Sequence, residues 1–179
     1  MNSSYSLLKR GVVQVVQAAL TAAAVMALGG CSHTKALPKP KPLALSIQPG
    51  GDAANLTIRV WVGAASQYDN NLREEKDLDR LITNLKNSAG TSTDVKSFPL
   101  ASGGTNISVS DPIWKVWRDQ KRADYLVIIA DLPRHLLTDP SLRRAEVPLD
   151  KALWKHLPDR TVHIKISPDG VKRLDTPGF

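Results

Sequence analysis

The sequence predicts an antiparallel β-sandwich, mainly β, with one inserted α-helix and one or two short helices. Three observations carry this. Runs with a period of two recur through residues 43–179, separated by short turn signals. One segment alone keeps a helical period over several turns. One strongly apolar run, Tyr125 to Leu132, suits a central strand covered on both faces.

Leu43, Leu45 and Ile47 alternate with Ala44, Ser46 and Gln48. Pro49-Gly50-Gly51-Asp52 has turn chemistry. Leu56, Ile58, Val60 and Val62 then alternate with Thr57, Arg59 and Trp61. Two such runs around a Gly-rich turn predict paired antiparallel strands. From Asn71 to Asn87 the period changes, and Leu78, Leu81, Ile82 and Leu85 share one helical face. Asn71 is the predicted cap, with Glu74 three residues on and an Arg73–Asp77 pair one turn apart. Ser92 to Leu100 and Thr105 to Val109 are short strand candidates around Ser102-Gly103-Gly104.

Asp111-Pro112 reads as a helix start. Lys115, Arg118, Lys121 and Arg122 form a basic cluster beside Trp114 and Trp117. Two readings stand: tryptophans in the core under a solvated rim, or a surface that meets lipid or an acidic partner. Pro133 stops the central strand. Ala145, Val147 and Leu149 alternate, Asp150 caps a short helix through Trp154, and Val162, Ile164 and Ile166 alternate again. Pro168-Asp169-Gly170 is a turn, and Val171 to Leu174 closes a hairpin.

The N-terminus has the three parts of a secretory signal. Lys9 and Arg10 are positive, Gly11 to Ala27 is small and apolar, and Leu28-Gly29-Gly30 leads to Cys31, the only cysteine. This resembles the lipobox of bacterial lipoproteins. In that family the signal, here residues 1–30, is cleaved and the cysteine takes acyl chains, palmitate among them. The resemblance makes Cys31 the lipidation site. Ser32 rather than Asp after the cysteine implies, by the sorting rule of such lipoproteins, an outer-membrane, lipid-anchored protein on the periplasmic face. Residues 31–42 hold Pro38, Pro40 and Pro42 between lysines, a semi-rigid polyproline tether. Residues 43–179 are the domain.

Removing residues 1–30 lowers the formal charge from +7 to +5. In an exported protein, nucleic acid is a poor fit for that charge; anionic head groups or an acidic protein fit better. With Cys31 acylated no thiol remains for a disulfide, a cysteine-ligated metal or thiol catalysis. His33, His135, His156 and His163 share no metal-ligand spacing. No nucleophile elbow, zinc helix or phosphate loop occurs. Asp131 and Asp139 read as turn or cap residues. The expectation is a non-enzyme with no cofactor, no metal and no small-molecule substrate.

Leu56-Thr57-Ile58-Arg59-Val60-Trp61-Val62, then Ala123-Asp124-Tyr125-Leu126-Val127-Ile128-Ile129-Ala130, Arg144-Ala145-Glu146-Val147-Pro148-Leu149, Trp154 and Val162-His163-Ile164-Lys165-Ile166 follow the lipobox and tether. This order resembles the TssJ (VasD) outer-membrane lipoproteins of the type VI secretion system, with the closest match at Ala123–Ala130. Where the family has Tyr-Gln-Leu after its early strand, this chain has Trp61-Val62-Gly63. The resemblance implies a transthyretin-like β-sandwich, a structural component of protein secretion. It implies binding to the periplasmic C-terminal domain of a TssM-like inner-membrane protein. The family's contact is the loop between the first two strands. By position that places partner binding at Pro49, Gly50, Gly51, Asp52 and Ala53. These turn residues have little apolar surface, so deleting Gly50 to Ala53 is expected to spare the fold. The basic helix near Trp117 is the next candidate contact. Also open are a pilotin or accessory lipoprotein of another envelope machine and, from a different class, a periplasmic enzyme or ligand carrier.

Overall fold

The computed structural model describes residues 41–66, 71–88, 92–120, 122–157 and 159–176. Cys31, the signal, most of the tether and Lys121 lie outside the described residues. Eight strands form two four-stranded sheets: β1 (Ala44–Pro49), β2 (Arg59–Ala65), β3 (Val95–Pro99), β4 (Thr105–Ile107), β5 (Tyr125–Ala130), β6 (Arg144–Pro148), β7 (Thr161–Ser167) and β8 (Gly170–Arg173). One sheet runs β4-β1-β7-β8 and the other β3-β2-β5-β6. Every pairing is antiparallel except β1 with β7, where Leu45 sits opposite Val162 and Ile47 opposite Ile164.

The alternation found in the sequence is the sandwich's inner lining. Leu45, Ile47, Val162, Ile164 and Ile166 face Val60, Val62, Leu126, Ile128 and Val147 in one core. The expected hairpin of the first two runs is absent. β1 and β2 belong to different sheets, and the connection between them carries the chain across the sandwich. Alternation fixes which face a strand buries and says nothing about which strand lies beside it.

Helices make a third layer. α1 (Asn71–Glu74) and α2 (Leu78–Asn87) replace the single helix expected over this segment. The cap of α2 is Asp77, whose carboxylate accepts from the Arg80 amide at 3.1 Å. Arg73 pairs with Glu146 across the sheet at 2.8 Å, not with Asp77. Leu78, Leu81, Ile82 and Leu85 pack on Trp61, Val127 and Ile129. β5 is thus covered on both faces, as its uniform apolarity predicts. Gly63 lets Leu72 lie flat on the sheet, because a Cβ there would stand 2.4 Å from Leu72 Cδ1.

Helix α3 (Ile113–Lys115) runs on into a π-helical turn, Val116–Gln120. The Asp111 carboxylate accepts from the Ile113 amide at 3.1 Å. Trp114 and Trp117 are buried, edge to face with ring centroids 5.1 Å apart. Trp117 Nε1 donates to the Asp94 carbonyl at 2.7 Å and Trp114 Nε1 to the Ser108 carbonyl at 3.1 Å. The core reading of the tryptophans therefore holds. Asp150 caps the 3₁₀ turn Lys151–Trp154 as predicted, accepting from the Ala152 amide at 2.8 Å. Trp154 is buried and donates to the Pro148 carbonyl.

Candidate partner-binding site

The connection after β1 starts as a continuation of the parallel ladder. The Gly50 amide donates to the Ile166 carbonyl at 2.7 Å. Gly50 is buried beneath Lys165, whose Cε would stand 2.1 Å from a Cβ at this position. Gly51 has φ +58°, a left-handed conformation that glycine tolerates, and a Cβ there would meet nothing. A 3₁₀ helix follows at Gly51–Asn55. Ala53 turns inward and is 1% exposed within the core, while Asp52, Ala54 and Asn55 are exposed.

The five predicted residues thus divide. Gly50 and Ala53 belong to the fold, Pro49 is half-buried, and Gly51 and Asp52 are presented to solvent. The expectation that deleting Gly50 to Ala53 spares the fold is corrected by this placement. Such a deletion removes a ladder hydrogen bond and a core methyl and shortens the crossing between sheets.

Register places other segments at the same end. Leu100 donates to the Ile58 carbonyl at 2.8 Å and Asp131 to the Arg59 carbonyl at 2.9 Å. The Gly104 turn closes on β1, where a Cβ would lie 2.6 Å from the Ile47 carbonyl. A shallow depression of about 430 Å³ opens directly after the connection, lined by Thr57, Ile58, Arg59, Lys86, Pro99 and Asp131. Lys86 and Asp131 form an ion pair at 2.6 Å on its wall. Sequence reasoning misses this depression. Lys86 reads as a helix-end cation and Asp131 as a strand-end acid, and no spacing rule joins them.

Acidic groups here are structural. Asp79 accepts from Arg143 at 2.7 Å and Arg134 at 3.1 Å, and the Arg143 bond holds its carboxyl below the usual range. Asp139 accepts from the Ser141 amide and hydroxyl, which lower it similarly. Asp169 is lowered to about 2, first by Lys172 and then by the Ser167 hydroxyl. Asp131 and Asp139 are thus each engaged elsewhere and do not act as a carboxylate pair. His163 Nδ1 lies 3.0 Å from Asp175. Among the described residues no group of three or more His, Cys, Asp or Glu could hold a metal, and no helix is long and apolar enough to cross a membrane.

The class defined by this geometry is a two-sheet β-sandwich with a helical outer layer and solvent-facing loops at its ends. The sequence matches no family model and no curated protein. Among solved structures, one that reaches a TM-score of 0.50 shares the fold. A chain described as "Type VI membrane complex" aligns with 76% of this chain and 100% of its own length, at 18% identity and TM-score 0.50. Lip of Serratia marcescens, a membrane bound component of the type VI secretion system, aligns with 76% of this chain and 99% of its own at 20% identity and TM-score 0.49. The type VI lipoprotein TssJ1 of Pseudomonas aeruginosa gives 77%, 99%, 14% and 0.41. At 18% identity the likeness to the type VI membrane complex chain is one of fold.

Proposed function

We propose that this chain is a TssJ-like outer-membrane lipoprotein of a type VI secretion membrane complex. Acylated Cys31 anchors it, residues 31–42 tether it, and the sandwich of residues 43–179 binds a TssM-like periplasmic domain. The observation that carries this reading is the shared sandwich, which spans the whole of the type VI membrane-complex chain, on a sequence that opens with a lipobox. The role is structural rather than enzymatic.

The proposed contact is the solvent-facing part of the connection after β1, centred on Gly51 and Asp52, with Ala54 and Asn55 beside them. Pro49, Gly50 and Ala53 support it from below. A loop held at both ends by a sandwich presents its exposed residues with little ordering cost on binding. β1 has six residues, so the loop lies about 20 Å from the end where the chain enters the domain. Residue 41 thus stands at one end of the domain and the proposed contact at the other.

The test is calorimetric titration of the mature chain with the periplasmic C-terminal domain of a TssM-like protein. Asp52→Arg with Ala54→Arg keeps Gly50 and Ala53 in place, so melting should be unchanged while binding is lost. Undiminished binding by this variant would move the contact elsewhere, and failure of the parent chain to bind would reject the partner.

A further inference from the structure

The outer strands of a sheet turn half of their N–H and C=O groups away from the ladder, and these need a partner or a cover. On the β6 and β8 side the sandwich is closed. Arg173 of β8 donates to the Glu146 carbonyl of β6 at 2.8 Å, and a Cβ at Gly170 would stand 2.9 Å from Leu142. On the other side lie β4, with three residues, and β3, with five. β3 pairs with β2 alone. The bond from the Leu100 amide to the Ile58 carbonyl sets the phase of that pairing. Residues 96, 98 and 100 direct their backbone groups at β2, and residues 95, 97 and 99 turn theirs away from it. No described residue bonds the outward backbone groups of Val95, Ser97 or Pro99.

Sheets commonly guard such an edge with a lysine or a proline. Here neither closes it. Lys96 shares the core-side face with its cross-strand neighbour Val62 and is held by Asp111. Pro99 stands at an outward position, so its missing N–H takes nothing from the ladder and its carbonyl stays available. Ser97 is small and exposed. The edge therefore offers two N–H donors, at Val95 and Ser97, and three C=O acceptors, repeating every second residue. Donors and acceptors spaced roughly 7 Å apart along a line match the backbone of an extended chain. Beside this row, Phe98 and Leu100 are half-buried against the core and leave an apolar seam at the open side.

We propose that β3 takes on an extended segment of the protein partner as a fifth strand of its sheet. The inference deepens the proposed function and rests on it: the partner that meets the Asp52 connection also supplies the strand. The two surfaces adjoin. β3 ends at Pro99, which lines the depression after that connection together with Thr57 and Arg59. Main-chain bonds would carry the affinity, and side chains at alternate positions the register. Residues of the added segment beside Phe98 and Leu100 are apolar, and the alternate ones beside Ser97 are polar.

The experiment is amide hydrogen exchange, read residue by residue by NMR on the mature, acylated chain in detergent micelles. It is run with and without the periplasmic C-terminal domain of a TssM-like protein. In the free chain Lys96 and Phe98 should be protected, while Val95 and Ser97 exchange quickly. Saturating partner should slow Val95 and Ser97 about tenfold or more. Ser97→Pro removes the outward donor and leaves the ladder to β2 intact, so it should weaken calorimetric binding about tenfold with unchanged melting. Ser97→Ala keeps the N–H and should bind as the parent does. Unchanged exchange at Val95 and Ser97, with shifted Gly51 and Asp52 resonances, would overturn the added strand and keep the loop contact. No binding by the parent chain would reject the partner and this occupant with it. Protection of Val95 and Ser97 that grows with protein concentration in the partner-free chain would give the edge to a second copy, against the proposal.

Discussion

Asp79 sits at the first turn of α2 between two arginines, and its partner Arg143 is only 3% exposed. Arg143 Nη2 already lacks an acceptor. Asp79→Asn weakens the one charged acceptor the guanidinium has, at a cost of about 1–3 kcal/mol in urea unfolding. The lowered carboxyls also set an acid limit. Asp79, Asp111, Asp139 and Asp169 are all held below their ordinary values. For Asp111 burial works in the opposite direction and is outweighed by Lys96 and the Ile113 amide. A carboxyl lowered by folding contributes stability above its unfolded pKa, about 4, and loses it as pH falls through the folded value. Stability should therefore be level near neutrality and fall between about pH 4 and 2, the lower bound set by Asp169. Unfolding midpoints that stay level through this window would contradict the assignment. In the core, Ile128 has no solvent exposure and packs between the sheets, so Ile128→Ala should cost about 2–5 kcal/mol.

Elements differ in how much of themselves they announce. Asp77→Ala removes the cap of α2 and should cost about 1 kcal/mol by denaturant titration, whereas Asn71→Ala should cost α2 nothing. The helical face of α2 was legible because four apolar residues keep one spacing, and β5 was legible because a strand covered on both faces has no polar side. Strand pairing was not legible. β1 lies beside β7, more than a hundred residues later, and a parallel neighbour leaves no turn signature between the two runs. Gly50-Gly51 reads as a hairpin turn because glycine frees the backbone in either case. The 3₁₀ helix and the inward methyl of Ala53 give the connection its actual path. For the same reason the proposed contact was only half legible: the segment could be named, but not which of its residues face solvent.

Across the whole molecule, the described chain enters the sandwich at one end, and the connection after β1 lies at the other. The anchor reading predicts that Cys31→Ser takes up no labelled palmitate and remains unprocessed or leaves the membrane. The same uptake in variant and parent would reject it. Residues 43–179 contain all eight strands. A chain beginning at Leu43 should therefore be soluble and unfold cooperatively, with a mainly β circular dichroism spectrum. A predominantly helical spectrum would be incompatible with the sandwich. The proposed function has this chain join a secretion membrane complex to the outer membrane. Its most direct test is affinity isolation of the tagged full-length chain from detergent-solubilised membranes of the source cell, with mass spectrometry of the proteins retained. A TssM-like inner-membrane protein should be retained by the parent chain and lost with Asp52→Arg and Ala54→Arg. Retention of components of a pilus or another secretion apparatus, with no TssM-like protein, would contradict it.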